Sequence, residues 1–333
     1  MRRRDFTVNA MAMNLHRELK DPFHGQDDLK NGILRCVGEP NQRFHEDALR
    51  LLRGLRFASV LGFIIEPSTE ESIHQNRELL QNIAVERIQV EFLKLLCGKD
   101  ATRVLRKFPD VIAVFWPEIL PMVGFDQRNY HHCFDVWEHT LHAMDAILPD
   151  ALLRCTMLLH DIGKPACFTV DDRGIGHFYG HAAISQQLAD KMLRRLKCSN
   201  ELREDIVTLV AWHDRNIPRT DKGLRRALRI LGEKNLRKLF LVKRADNLAQ
   251  APEFHVRQLE IQMAEEILER LLQEDACFSL KQLAVNGRDM IKLGLSGSAI
   301  GAMLDELLNR VIDGILPNEK ETLLQVAREM MER

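Results

Sequence analysis

The chain has 333 residues, 45% hydrophobic and 29% charged, with a net charge of −1, which excludes large-scale disorder and allows two or three domains with real cores. The longest apolar stretch, residues 111–125, is broken by Pro117, Glu118 and Pro121, and Arg2-Arg3-Arg4 is not followed by an apolar run, so neither a membrane span nor a secretion signal is expected. The seven cysteines form no Cys-x-x-Cys pair, which argues against a zinc ribbon or disulfide framework and for a reducing, cytoplasmic setting.

Few aromatics among abundant Leu, Arg and Glu predict a mostly α protein. Residues 1–40 are the exception: a short helix after Thr7, whose hydroxyl is a candidate cap, and one or two strands over residues 18–23 whose sheet edges lack partners. From 41 to 125 the pattern is short amphipathic helices separated at Pro67, Gly98, Pro109 and Pro117. Within it, residues 45–58 read as one helix with Ala48, Leu51, Leu52 and Leu55 on one face and Asp47, Arg50, Arg53 and Arg56 across the other. A carboxylate beside a guanidinium sets an acceptor next to donors, a pattern that pairs with a nucleobase edge, while the other arginines suit phosphates. A salt-bridged surface helix has the same pattern.

Residues 132–142 contain no Gly or Pro and read as a helix with His132, Asp135 and His139 in one arc. The run 152–159 is apolar nearly all round, a buried helix that delivers His160-Asp161 before Gly163 and Pro165 stop it. A buried ionised Asp161 needs a partner, and a cation supplies one. With His139, His181, His213 and Asp246 the chain offers imidazole nitrogens and carboxylate oxygens suited to Mn, Fe, Ni or Zn, or to a harder Mg. Lys164 stands just beyond the helix end, where it is expected either to meet a phosphate oxygen or to be a solvated surface lysine. The segment 171–176 reads as an irregular loop, over the metal site or across the surface.

The tail, residues 256–333, reads as a long helix over 256–274 and shorter amphipathic helices, with Gly294, Gly297 and Gly301 as caps and turns. Charge is segregated along the sequence: Arg2 to Arg4, Arg43 to Arg56, and Arg225, Arg226, Arg229, Arg237, Lys238, Lys243 and Arg244 are basic, whereas Glu260, Glu265, Glu266, Glu269, Glu274 and Asp275 are acidic. Basic patches of this kind suit a polyphosphate partner, although solvated helix faces look alike.

The order His139, His160-Asp161, Asp246 resembles the HD superfamily of metal-dependent phosphohydrolases, and residues 126–255 are taken as that domain. Members with a second metal or phosphate subsite use extra histidines, for which His181, His213 and, less well, His132 are candidates. The resemblance assigns His160, Asp161 and Lys164 to catalysis and His139, His160, Asp161, Asp246, His181 and His213 to metal binding. Four further motifs, Arg3-Arg4-Asp5-Phe6-Thr7-Val8-Asn9, Asp21 to Leu29, Glu46-Asp47 with Arg50, and Glu86-Arg87-Ile88, are similar to those of class II tRNA nucleotidyltransferases, the CCA-adding enzymes and bacterial poly(A) polymerases.

That resemblance implies a partner, tRNA or another RNA 3′ end, and the nucleotides ATP and CTP. It implies that Arg4 contacts nucleotide, that Asp5 and Asn9 shape the ribose and triphosphate site, that Asp47 and Arg50 read the base, and that Arg53 and Arg56 touch nucleotide or phosphate. Asp21 to Leu29 and Glu86-Arg87 would be structural. The family's transfer step uses Mg held by paired carboxylates after a Gly-Gly turn, and this sequence contains no Asp-x-Asp. The expectation is therefore a truncated α+β palm over 1–40, an all-α neck and body over 41–125, the HD domain and a helical tail, binding nucleotide weakly. A stand-alone HD phosphohydrolase acting on nucleotide or RNA-end phosphate esters, and a non-catalytic RNA-binding remnant, are the competing readings. CCA addition and poly(A) addition share these motifs.

Overall fold

The computed structural model describes residues 1–274 and 277–332, so Asp275 of the acidic run lies outside the described residues. The described chain is mostly helical with three two-stranded sheets, as the composition predicts. It divides into two compact units, Met1–Asp214 with Leu241–His255, and Arg215–Phe240 with the chain from Val256.

In the first unit one apolar core runs from Phe6 to Ala249, through the head, neck and histidine-bearing segments alike. Each large side chain fully buried there, such as Phe44, Phe92 or Trp116, contributes about 1.5–3 kcal/mol. The hairpin Ala12–Met13 with Leu19–Lys20 falls where residues 18–23 predict strand. Two details of the head differ from expectation. Thr7 does not cap its 3₁₀ turn Thr7–Asn9; its hydroxyl donates to Asp28 at 2.7 Å. The strand expected to lack a partner, Leu19–Lys20, is paired with Ala12–Met13, and a further strand, Ile33–Leu34, pairs in parallel with Ile64–Ile65.

Prolines 67, 109 and 117 each begin an element, where the missing N–H costs nothing. The predicted helix 45–58 is two helices, Pro40–Glu46 and Leu49–Leu61. Asp47 breaks it: its backbone is extended (φ −155°, ψ 101°), and its carboxylate accepts from the Leu49 N–H at 3.1 Å, a local bond that competes with the helical one. A similar substitution of side chain for backbone sets the start of Val136–Asp145, where Asp135 accepts from the Glu138 N–H at 2.8 Å. Asp135 is thus a cap and does not share the arc of His139.

The helix Ala151–Leu159 is buried nearly all round, as its sequence requires, and starts from an Asp150 cap. Its Arg154 is buried and donates to the carbonyls of Leu96 (2.9 Å) and Gly98 (2.6 Å), which satisfies the end of Val85–Leu96. Residues 171–176 form the turn of a hairpin, Thr169–Val170 with Gly176–His177, closed by Asp171 accepting from the N–H groups of Arg173 and Ile175, with Gly174 at φ +78°.

The second unit has its own core around Leu307, Leu308, Ile312 and Leu323. Its helix Arg257–Gln273 matches the predicted one, and a capping box of Asn286 and Asp289 starts Gly287–Lys292. Gly294 and Gly297 take positive φ at turns, whereas Gly301 sits inside the helix Ser298–Ile312. The charge segregated along the sequence is paired in space. Arg226 meets Asp313 (2.8 Å), Arg229 meets Asp305 (2.7 Å), Arg219 meets Glu260 (2.9 Å), and Arg237 pairs with Glu269. Much of the basic stretch 225–237 is therefore neutralised by acids of its own unit.

Candidate metal centre and nucleotide-reading segment

Helix ends deliver most of the donors. His139 lies in Val136–Asp145, His160 caps Ala151–Leu159, His181 opens His181–Arg195, and His213 caps Asn200–Trp212. Asp246 comes from the last turns of Asp221–Leu248. Gly163 makes the assembly possible. A Cβ there would stand 2.7 Å from both the His181 carbonyl and the Ser185 nitrogen, and the Gly163 N–H donates to the Ser185 hydroxyl at 2.9 Å.

The donors form two groups that share Asp161: His139, His160, Asp161 and Asp246, and Asp161, His181 and His213. Oδ2 of Asp161 lies 3.4 Å from His139 Nε2 and 3.2 Å from His160 Nε2, and Asp246 Oδ1 lies 3.0 and 3.4 Å from the same two nitrogens. Oδ1 of Asp161 faces the other pair, at 3.4 Å from His181 Nε2 and 3.5 Å from His213 Nε2. All are buried except Asp246, whose side chain is 20% exposed and forms the open edge.

Each imidazole turns its Nδ1 to a backbone carbonyl: His139 to Ala249 (3.2 Å), His160 to Met157 (2.6 Å), His181 to Phe178 (2.8 Å) and His213 to Val210 (2.6 Å). Those bonds fix the proton on Nδ1 and aim four Nε2 lone pairs inward, the arrangement that supports metal ligands. His181 Nε2 and His213 Nε2 stand 3.2 Å apart, close to the roughly 3.3 Å separation of two ligands in tetrahedral coordination at about 2.0–2.1 Å. At that distance the two nitrogens share a cation, either a proton, since against burial Asp161 raises His181, or a metal ion. His160 Nε2 is also buried without any hydrogen-bond partner, and Asp161 Oδ2, equally buried, makes only ion-pair contacts. The donor set therefore fits a divalent ion.

Electrostatics point the same way. Burial opposes charge on His160, yet Asp161 and Asp246 outweigh it and raise His160 to about 10. Against the same burial, His160 and Lys164 hold Asp161, and His139 and His160 hold Asp246, well below the usual carboxylate range. For His213 burial prevails and its pKa falls. The two carboxylates thus demand positive charge, which a proton on His160 supplies in part and a divalent ion supplies better.

Lys164 is not at the surface. It is 4% exposed, with Nζ 2.7 Å from Asp161 Oδ2, 2.9 Å from Gln127 Oε1 and 3.5 Å from His132 Nε2. His132 thus faces Lys164, stands outside both donor groups, and is driven down to about 2, first by burial and then by the Lys164 charge. Gln127 carries no signal in the sequence; a single amide outside any motif is read as surface until its burial is seen.

The residues expected to read nucleotide are dispersed. Asp5 pairs with Arg53 (2.7 Å), Arg53 reaches Glu91 (3.9 Å), and Arg56 pairs with Glu91 (2.7 Å) over the Phe57 ring. Arg50 pairs with Glu46 (2.9 Å) and donates to the carbonyls of Arg43 and Arg3. Asp47 turns away from Arg50 and pairs with Arg87 (3.1 Å), lining a cleft of about 480 Å³ with Glu46 and Asn82. Arg4 is exposed and makes no side-chain bond among the described residues, and Asn9 is half-buried. Asp21 accepts from the N–H groups of Gly25 and Gln26, and Glu86 pairs with Lys197 (2.6 Å), both structural contacts.

Comparison with known proteins finds a poly(A) polymerase head-domain model over residues 1–35, a model of the probable RNA- and SrmB-binding site of polymerase A over 62–110, and one of tRNA nucleotidyltransferase domain 2 over 171–327. The CCA-adding enzyme of Limosilactobacillus fermentum is 32% identical over 99% of this chain and 72% of its own length. An A-adding tRNA nucleotidyltransferase of Deinococcus radiodurans is 38% identical over 68% of this chain, a match that spans 54% of that protein. Among solved structures, the Bacillus stearothermophilus CCA-adding enzyme in complex with CTP aligns over 99% of this chain and 73% of that one, with a TM-score of 0.70 and 28% identity. The chain belongs to the CCA-adding enzyme family of class II tRNA nucleotidyltransferases.

Proposed function

We propose that this chain serves tRNA 3′-end synthesis, the addition of CMP and AMP from CTP and ATP, and that its histidine–aspartate centre is an HD-type, divalent-metal phosphohydrolase. Similarity to CCA-adding enzymes over nearly the whole chain supports the first part. Within it, Asp47 and Arg50 would read the base edge, with Arg87 and Glu46 giving up their ion pairs to the nucleotide. The sequence holds no Asp-x-Asp for Mg, so the proposal assigns these residues nucleotide and RNA recognition rather than the transfer step. Likeness to an A-adding enzyme favours a second reading, in which ATP alone is bound. Titrating CTP and ATP into the full chain separates them: both bind and Asp47→Ala weakens both under the CCA reading, only ATP binds under the other, and neither binding contradicts both.

The observation that carries the second part is the convergence of buried donors on Asp161, with His160 Nε2 left without a hydrogen-bond partner among inward-facing imidazoles. A divalent ion held by His139, His160, Asp161 and Asp246 would supply a water of near-neutral pKa and polarisation of a phosphoryl oxygen. The chain's own part is to hold four neutral imidazoles by their Nδ1 bonds, to shield the donors from bulk water, and to leave Asp246 at the edge where a phosphate ester arrives. Nucleoside 2′-, 3′- and cyclic phosphates with Mn²⁺, Ni²⁺ or Mg²⁺ test it. Hydrolysis abolished by His160→Gln and Asp161→Asn supports the reading; no hydrolysis with any ion, or hydrolysis that survives both changes, contradicts it.

A further inference from the structure

Lys164 Nζ is enclosed by partners of its own. An ammonium offers three N–H groups and accepts nothing, and here Nζ is ion-paired with Asp161 Oδ2 and hydrogen-bonded to Gln127 Oε1 and, at 3.5 Å, His132 Nε2. Its neighbours are themselves fixed. Gln127 is 1% exposed and its Nε2 donates to the Phe134 carbonyl at 3.0 Å, which orients Oε1 toward Lys164. The Phe178 ring centroid lies 5.3 Å from Nζ on a further side. A lysine held this way is not reaching for a substrate phosphate.

We propose that Lys164 is an internal counter-charge of the metal centre, a positioning residue held on Asp161 by Gln127 and His132, and that it keeps divalent-ion binding weak. The inference rests on the phosphohydrolase reading of the centre. Lys164 shares Oδ2 of Asp161 with the first donor group, so any ion bound by His139, His160 and Asp246 sits one oxygen away from an ammonium. Like charges that close in a water-poor interior repel strongly. Two carboxylates and one ammonium also leave the centre a net charge of minus one, too little to neutralise even one divalent ion. The anionic oxygens of a phosphate ester make up the difference, so ion and substrate are expected to bind cooperatively. Held at Oδ2 from one side, Asp161 keeps Oδ1 facing His181 and His213.

The test is Mn²⁺ titration of the full chain by calorimetry, with and without inorganic phosphate. Lys164→Met keeps an unbranched apolar stem and removes the charge; it is expected to bind Mn²⁺ at least tenfold more tightly. Gln127→Glu sets a carboxylate beside the ammonium with little change in volume, shifts affinity the same way, and decides the matter if Lys164→Met fails to fold. Mn²⁺ affinity unchanged or weakened in the folded variant, with phosphate binding lost, would make Lys164 a phosphate contact and overturn the proposal. A wild-type chain that binds no Mn²⁺ in either condition overturns the phosphohydrolase reading and this inference together, an outcome distinct from a wild type that binds and a variant that does not tighten.

Discussion

At the scale of single residues, the proposed centre would depend on Asp161 more than on any other donor, because Asp161 belongs to both donor groups. Asp161→Asn is expected to weaken Mn²⁺ binding by a hundredfold or more, beyond the roughly 10–100-fold typical of losing an outer hydrogen-bond partner. Equal affinity of variant and wild type in the same titration would contradict that role. The grouping of these donors is legible in the sequence because imidazoles and carboxylates at the ends of apolar helices have few structural uses. Gln127 was not legible, since its burial comes from the fold around it. Lys164 was legible as important but misjudged in direction: a lysine after Gly163 reads as solvent-facing, and only the packing of His132 and Gln127 turns it inward. Arg53 and Arg56 follow the plainer reading of a salt-bridged helix, being tied to Asp5 and Glu91.

At the scale of elements, close backbone approach decides where helices can dock. Gly163 reads in sequence as a helix stop, yet its lack of a Cβ is what lets His181–Arg195 lie against the His160-Asp161 turn. Gly163→Ala is expected to destabilise the chain by about 1–3 kcal/mol, as overpacking does, and to disturb the His181–His213 pair more than the His139–His160 pair. A denaturant midpoint equal to that of the wild type would refute the close fit. Arg154 acts on a different element, closing the carbonyl end of Val85–Leu96. Arg154→Met is expected to cost about 1.5–3 kcal/mol, the worth of hydrogen bonds to a charged donor, and a chemical denaturation curve measures it. The break at Asp47 escaped the sequence because Glu46-Asp47-Ala48 contains no Gly or Pro. The competing signal was the short acid side chain, which bonds to the Leu49 N–H.

For the whole molecule, helical content and the positions of most helices follow from apolar periodicity and from proline at first turns, whereas charge distribution does not. The basic and acidic runs of the second unit read as separate patches along the chain and fold into ion pairs such as Arg226–Asp313 and Arg219–Glu260. Exposed pairs of this kind contribute little each, about 0–1 kcal/mol, and salt weakens them. The candidate metal centre lies in the other unit. An ion that binds only the folded state at a hundred times its Kd adds about 2.7 kcal/mol, so saturating Mn²⁺ is expected to raise the melting midpoint of the unit Met1–Asp214 with Leu241–His255 by roughly 5–10 °C, and a chelator to reverse it. No shift in scanning calorimetry would contradict that linkage.

The most direct measurement is anomalous diffraction from crystals of the full chain soaked in Mn²⁺. A peak within ligand distance of Asp161, flanked by His139, His160 and Asp246 or by His181 and His213, is the predicted result. Fully soaked crystals whose anomalous density lies elsewhere, with those six side chains unliganded, would contradict the metal centre.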